Sequence, residues 1–126
     1  MRSALIGLLL GCAIIFAACD PAAAITYDNL TGQRLCVYES YRRSAPSATG
    51  ERGCNEVAPN EKLTYGHGPC SGDDPVWILI TVGPGGKHIY SRFATCEEWD
   101  GETVTIEQRG DEFVVTDSLP DGTPSP

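Results

Sequence analysis

Alternation of apolar and polar residues dominates the chain after residue 24, in short runs punctuated by turn-forming residues. That period belongs to β-strands with one covered face. Ile25-Thr26-Tyr27 opens a first predicted strand, which Asn29-Leu30-Thr31-Gly32 ends. Residues 34–39 alternate cleanly, with Leu35 and Val37 on one face and Cys36 and Tyr38 on the other. The polar stretch 41–53, rich in Ser, Arg and Gly, reads as a long loop. Short strands are predicted at 55–57 and 62–65, separated by the turn signal Pro59-Asn60. After the irregular stretch 66–75, residues 76–82 form the most apolar segment of this region and predict a central strand. No segment sustains a helical period.

Two hairpins are signposted. Residues 76–82 and 88–95 flank Gly83-Pro84-Gly85-Gly86-Lys87, and residues 103–108 and 112–116 flank Arg109-Gly110-Asp111. Centring the first hairpin near residue 85 sets Thr95 opposite Pro75. Cys96 then emerges beside the segment that carries Cys70. Seven or eight short strands with frequent turns predict an all-β domain. Its expected form is a small antiparallel β-sandwich, immunoglobulin- or transthyretin-like. The domain is predicted to cover 25–117, with the Pro-, Gly- and Ser-rich residues 118–126 as a disordered tail.

Residues 1–24 follow another rule. Arg2 is the only charge before Asp20, and residues 4–18 are apolar or small without a break. A positive start, an apolar run and then small residues is the pattern of a secretory signal peptide. The run falls short of the roughly 20 residues that a transmembrane helix needs. Phe16-Ala17-Ala18-Cys19 resembles a bacterial lipobox, with Phe16 where Leu is usual. The resemblance implies cleavage before Cys19 and a diacylglycerol on its sulfur, usually joined by an N-acyl chain, which together anchor stably where a single acyl chain does not. Leu9-Leu10-Gly11-Cys12 fits the motif better but leaves too short an apolar run before it. Ordinary cleavage after Ala22-Ala23-Ala24 would instead release a soluble protein starting at Ile25. The expected location is therefore extracytoplasmic, anchored to a bacterial cell membrane through Cys19, with soluble secretion as the alternative.

Either cleavage leaves Cys36, Cys54, Cys70 and Cys96, an even number in a small exported domain, which reads as a disulfide framework. Four cysteines allow three connectivities. The first hairpin favours Cys70–Cys96 across its open end, and elimination then pairs Cys36 with Cys54. His67 lies three residues before Cys70, but no Cys-x-x-Cys pair exists, so neither zinc nor another cofactor is expected. Loss of Arg2 takes the chain's nine Lys and Arg to eight, against seventeen Asp and Glu, for a formal charge of −9. That balance disfavours nucleic acid and anionic lipid surfaces as partners.

Residues 25–108 also resemble small exported β-sandwich domains of high-GC bacteria. The matching positions are Asn29 and Thr31, Pro59, Cys70, Gly86-Lys87, and Cys96 with Trp99. The chain departs from that pattern in its extra cysteine pair and in the 41–53 loop. The resemblance implies a sandwich fold and a group without assigned activity.

Candidate chemistry is sparse. Arg109-Gly110-Asp111 has the form of an integrin-binding loop, but a Gly-containing turn flanked by charges is the favoured explanation. Asn29-Leu30-Thr31 is an N-glycan acceptor sequence in a eukaryotic secretory pathway. Asp73-Asp74 and the carboxylates Glu97, Glu98, Asp100 and Glu102 offer oxygen ligands for calcium, but without calcium-loop spacing, and Glu97 with Asp100 has the form of an acid–base pair. His67 and His88 are the only histidines, and no nucleophile elbow, zinc-protease helix or phosphate loop is present. The expectation is a non-enzymatic binding or accessory module that meets an envelope protein or polymer through Tyr38, Tyr41, Arg42 and Arg43. The alternative is an exported hydrolase inhibitor that presents the 41–53 loop, held at both ends by Cys36 and Cys54.

Overall fold

A computed structural model describes residues 24–42, 53–66, 70 and 72–120. Eight strands and one helical turn follow in the order β1 (Ala24–Asn29), β2 (Leu35–Ser40), β3 (Asn55–Val57), β4 (Lys62–Gly66), β5 (Pro75–Val82), β6 (His88–Thr95), α1 (Cys96–Trp99), β7 (Thr103–Arg109) and β8 (Glu112–Thr116). They form two four-stranded sheets, β4-β1-β7-β8 and β3-β2-β5-β6. The expected all-β sandwich is present. Five of its pairings are antiparallel, while β1 runs parallel to β7, from Thr26 beside Thr103 to Asn29 beside Ile106.

The alternation read from the sequence builds the core. Ile25, Tyr27, Leu35, Val37, Val76, Ile78, Ile80, Val104 and Ile106 are all buried between the sheets. At register level, Pro75 does sit opposite Thr95. The opposite face of β2 is covered as well, where Cys36, Tyr38 and Leu79 form a second small cluster with Cys54.

Both inferred disulfides are present, Cys36–Cys54 and Cys70–Cys96, closing separations of 18 and 26 residues. The second joins the segment before β5 to α1. Thr95 caps that turn: its hydroxyl accepts from the Glu98 amide, and the Glu98 carboxylate accepts from the Thr95 amide. The turn directs Trp99 fully into the core, with its Nε1 donating to the Val76 carbonyl at 3.2 Å. Gly86 is required in the β5–β6 loop, since a Cβ there would lie 1.8 Å from the Val82 carbonyl oxygen.

Two polar devices close the sandwich. At the end of β1, the buried Asn29 side chain donates to the carbonyls of Gln33, Val57 and Ala58, and accepts from the Thr31 amide and hydroxyl. It thereby ties the β1 sheet to the β2–β3 pair of the other sheet. On the opposite side, Asp117–Pro120 straps the gap between β6 and β8. Asp117 accepts from the Tyr90 hydroxyl, Arg92 donates to the Pro120 carbonyl, and Ser118 donates to Glu102. Leu119 is 7 % exposed and belongs to the core cluster. The packed unit thus runs past the expected end at 117. Composition hid this, because one inward Leu and two backbone-binding carboxylates outweigh the surrounding Pro and Ser.

Candidate functional site

Strand directions gather one set of chain ends at one pole of the sandwich. The start of β1, the end of β2 with Tyr41 and Arg42, the end of β4, the start of β5 and α1 all lie there. Hydrogen bonds stitch this pole together: the Gly101 amide donates to the Ala24 carbonyl, and the Ala24 amide donates to Asp100 Oδ1 at 3.3 Å.

The four candidate contact residues fare differently. Tyr38 is 7 % exposed and its hydroxyl accepts from the Gly85 amide at 3.0 Å. It braces the β5–β6 loop and offers little free surface, which corrects the sequence expectation: the outer face of β2 is itself covered. Tyr41 is 44 % exposed, and its hydroxyl donates to Glu39 Oε2 at 3.2 Å. Arg42 is exposed, with its amide donating to the Ser40 hydroxyl. Arg43 lies outside the described residues, as do Cys19 with its signal segment, His67 and most of the 41–53 loop.

Glu39, which no motif in the sequence marks, organises the upper end of β2. It occupies a core-facing position in the alternation after Leu35 and Val37, and its Oε1 accepts from the Tyr27 hydroxyl at 2.6 Å. Burial, followed by the adjacent Glu39 charge, pushes the Tyr27 phenol well above its ordinary value. On one edge of β2, β3 pairs with residues 35–37. In the other sheet, Tyr65 on β4 is 38 % exposed. Tyr65 pairs with Ile25, one step along the core-facing side from the Leu63–Tyr27 pair.

Several of the remaining leads are engaged within the fold. Asn29 is fully buried with its side chain engaged, so the Asn29-Leu30-Thr31 acceptor is closed in the folded domain. Arg109-Gly110-Asp111 spans the end of β7 and a tight turn, with Gly110 at φ 63° and Arg109 paired to Glu107 at 3.1 Å. Glu98 caps α1, Asp100 holds Ala24, and Glu102 holds Ser118. His88 is exposed at the start of β6. Among the described residues, no group of three or more His, Cys, Asp or Glu side chains is placed to hold a metal ion. No protein-family model matches this chain, and no curated protein matches it either.

Proposed function

We propose that the chain is an exported, lipid-anchored binding module of the bacterial cell envelope, and not an enzyme. One observation carries the reading: the start of β1 shares a pole with the exposed Tyr41 and Arg42 at the end of β2. A lipid on Cys19 would sit five residues before Ala24, a reach of at most about 18 Å of extended chain. The contact pole therefore faces the envelope layer nearest the membrane. The two disulfides are consistent with an extracytoplasmic location. Loops carried on a rigid sandwich are a common way to present contacts.

The test has two arms. Mass spectrometry of the mature protein should find a lipid-modified Cys19 as the first residue; an unmodified start at Ile25 ends the anchoring claim. Capture of envelope components should weaken on Arg42→Ala and on deletion of residues 44–49, with the fold retained, and should be indifferent to His67→Ala and His88→Ala. Loss of a measurable turnover on the histidine changes, with a silent loop deletion, would replace the module by an enzyme. The Cys36–Cys54 bridge also supports the hydrolase-inhibitor reading, which predicts that envelope hydrolase activity falls on adding the protein and recovers with the loop deletion.

A further inference from the structure

We infer that the Asp100–Gly101 peptide link is a latent site of isoaspartate formation, held closed by Ala24 at the start of β1. The inference is independent of the binding-module reading. In an Asp–Gly link the aspartyl side chain readily meets the next backbone nitrogen, because glycine has no Cβ to obstruct the approach. Both reacting groups are engaged in this fold, and by one residue. The Gly101 amide donates to the Ala24 carbonyl at 2.9 Å, and Asp100 Oδ1 accepts from the Ala24 amide at 3.3 Å. Gly101 has φ 77°, a left-handed conformation that reserves this place between α1 and β7 for glycine. Ala24 is itself held, pairing with Gly66 at the end of β4. The nitrogen that would attack is thus committed to Ala24 and not turned toward the Asp100 carboxyl.

The step needs no co-reactant beyond water. The Gly101 nitrogen bonds to Cγ of the protonated Asp100 carboxyl, the bond from Cγ to the hydroxyl breaks, and that hydroxyl leaves with the amide proton as water. Water then adds back to the cyclic imide. Opening at the Cγ side restores aspartate. Opening at the backbone carbonyl routes the chain through Cβ and Cγ, which is isoaspartate. Mass and charge are unchanged, but the backbone gains one methylene. Here that methylene would fall where the Asp100 amide donates to the Cys96 and Glu97 carbonyls and the Glu102 amide donates to the Trp99 carbonyl. Those bonds seat the fully buried Trp99 and the Cys96 end of the Cys70–Cys96 bridge. Ala24 therefore guards the turn, and the two export cuts treat it differently. Cleavage before Cys19 keeps it, whereas cleavage after Ala24 removes both of its hydrogen bonds at once.

The test ages the full-length chain, with both disulfides intact, in mildly acidic buffer with and without denaturing urea. Trypsin places Asp100 in peptide 93–109 and the second Asp–Gly link, Asp121–Gly122, in peptide 110–126. Electron-transfer fragmentation of each peptide separates isoaspartate from aspartate. In urea the two links should convert alike. In buffer, Asp100 should convert about tenfold to hundredfold more slowly than in urea, the slowing expected when two hydrogen bonds must open first. Ala24→Pro, which lacks the amide donor but keeps the carbonyl, should recover part of the urea rate. Should the proline variant unfold, hydrogen exchange at the wild-type Gly101 amide decides, and that amide should be strongly protected. The lock is overturned by an equal rate in buffer and urea, by a folded Ala24→Pro variant that ages like the wild type, or by a Gly101 amide that exchanges as in the unfolded chain. No conversion at Asp100 in urea would remove the site itself.

Discussion

Replacing Asn29 by Ala removes the stitch between the two sheets and should be among the most damaging single changes in the domain. The side chain is fully buried and makes five hydrogen bonds, three as donor to backbone carbonyls and two as acceptor from Thr31. Each buried hydrogen bond contributes about 0.5–1.5 kcal/mol net, and a stranded buried partner costs about 1–3 kcal/mol. Allowing that some freed groups find other partners, the expected loss is about 3–5 kcal/mol, a large part of a small domain's total of about 5–15 kcal/mol. Asn29→Asp should be worse than Ala at neutral pH, because a carboxylate would face the three carbonyls that the amide now serves. That carboxyl would titrate above its unfolded value, so the Asp variant should recover stability as the pH falls through the raised pKa. Thr31→Val should cost about 1–2 kcal/mol, and much less once Asn29 is already Ala, since the two share a bond of 2.7 Å. Urea unfolding with the disulfides intact measures all four. An Asn29→Ala loss below about 1 kcal/mol, or additive effects at 29 and 31, would refute the stitch.

Non-reducing peptide mapping should recover Cys36 linked to Cys54 and Cys70 to Cys96, and the double change Cys70→Ala/Cys96→Ala should cost about 2–5 kcal/mol; a peptide joining Cys36 to Cys70 would contradict the framework. Burial raises the Tyr27 phenol, and burial with the Asp117 hydrogen bond raises Tyr90. Both stay protonated in the fold where the unfolded chain ionises near pH 10, so their contribution is complete below pH 10 and lost above it. The urea midpoint should fall between about pH 10 and 11.5, less steeply for Tyr27→Phe and Tyr90→Phe, and an unchanged slope would count against the burial of these phenols. Leu119→Ala should cost about 2–3 kcal/mol in the same assay, and truncation after Thr116 more; a silent truncation would show that the strap does not close the sandwich.

Much of the fold was legible because its signals are local. The bounds of β3, β6 and β8 follow from punctuation by Gly, Pro and charged turns, and the hairpin centre fixed both the Pro75–Thr95 register and the Cys70–Cys96 bridge. The parallel pairing of β1 with β7 was not legible, since it joins strands far apart in sequence and no turn residue records it. The one-turn α1 is too short to show a period. Its capping box was nonetheless written in the chain as Thr95-x-x-Glu98.

The site was legible only in part, and the reason lies in what alternation can report. It assigns a side chain to a face but not whether that face is covered, so Tyr38 read as a contact although the outer side of β2 is packed. A second signal was more informative. Glu39 follows Leu35 and Val37 at core-facing positions of β2, and Arg92 stands between Tyr90 and Ala94 on the same side of β6. A charge in a core register must reach water or a partner near the rim of the sandwich. Glu39 meets Tyr27 and Tyr41, while Arg92 meets Asp117 and Pro120. Each charge that breaks the alternation thus finds polar partners instead of apolar ones. The chain's own strap fills the β6–β8 side. Glu39 instead links the buried Tyr27 to the exposed Tyr41, so this charge joins the core to the surface at the contact pole.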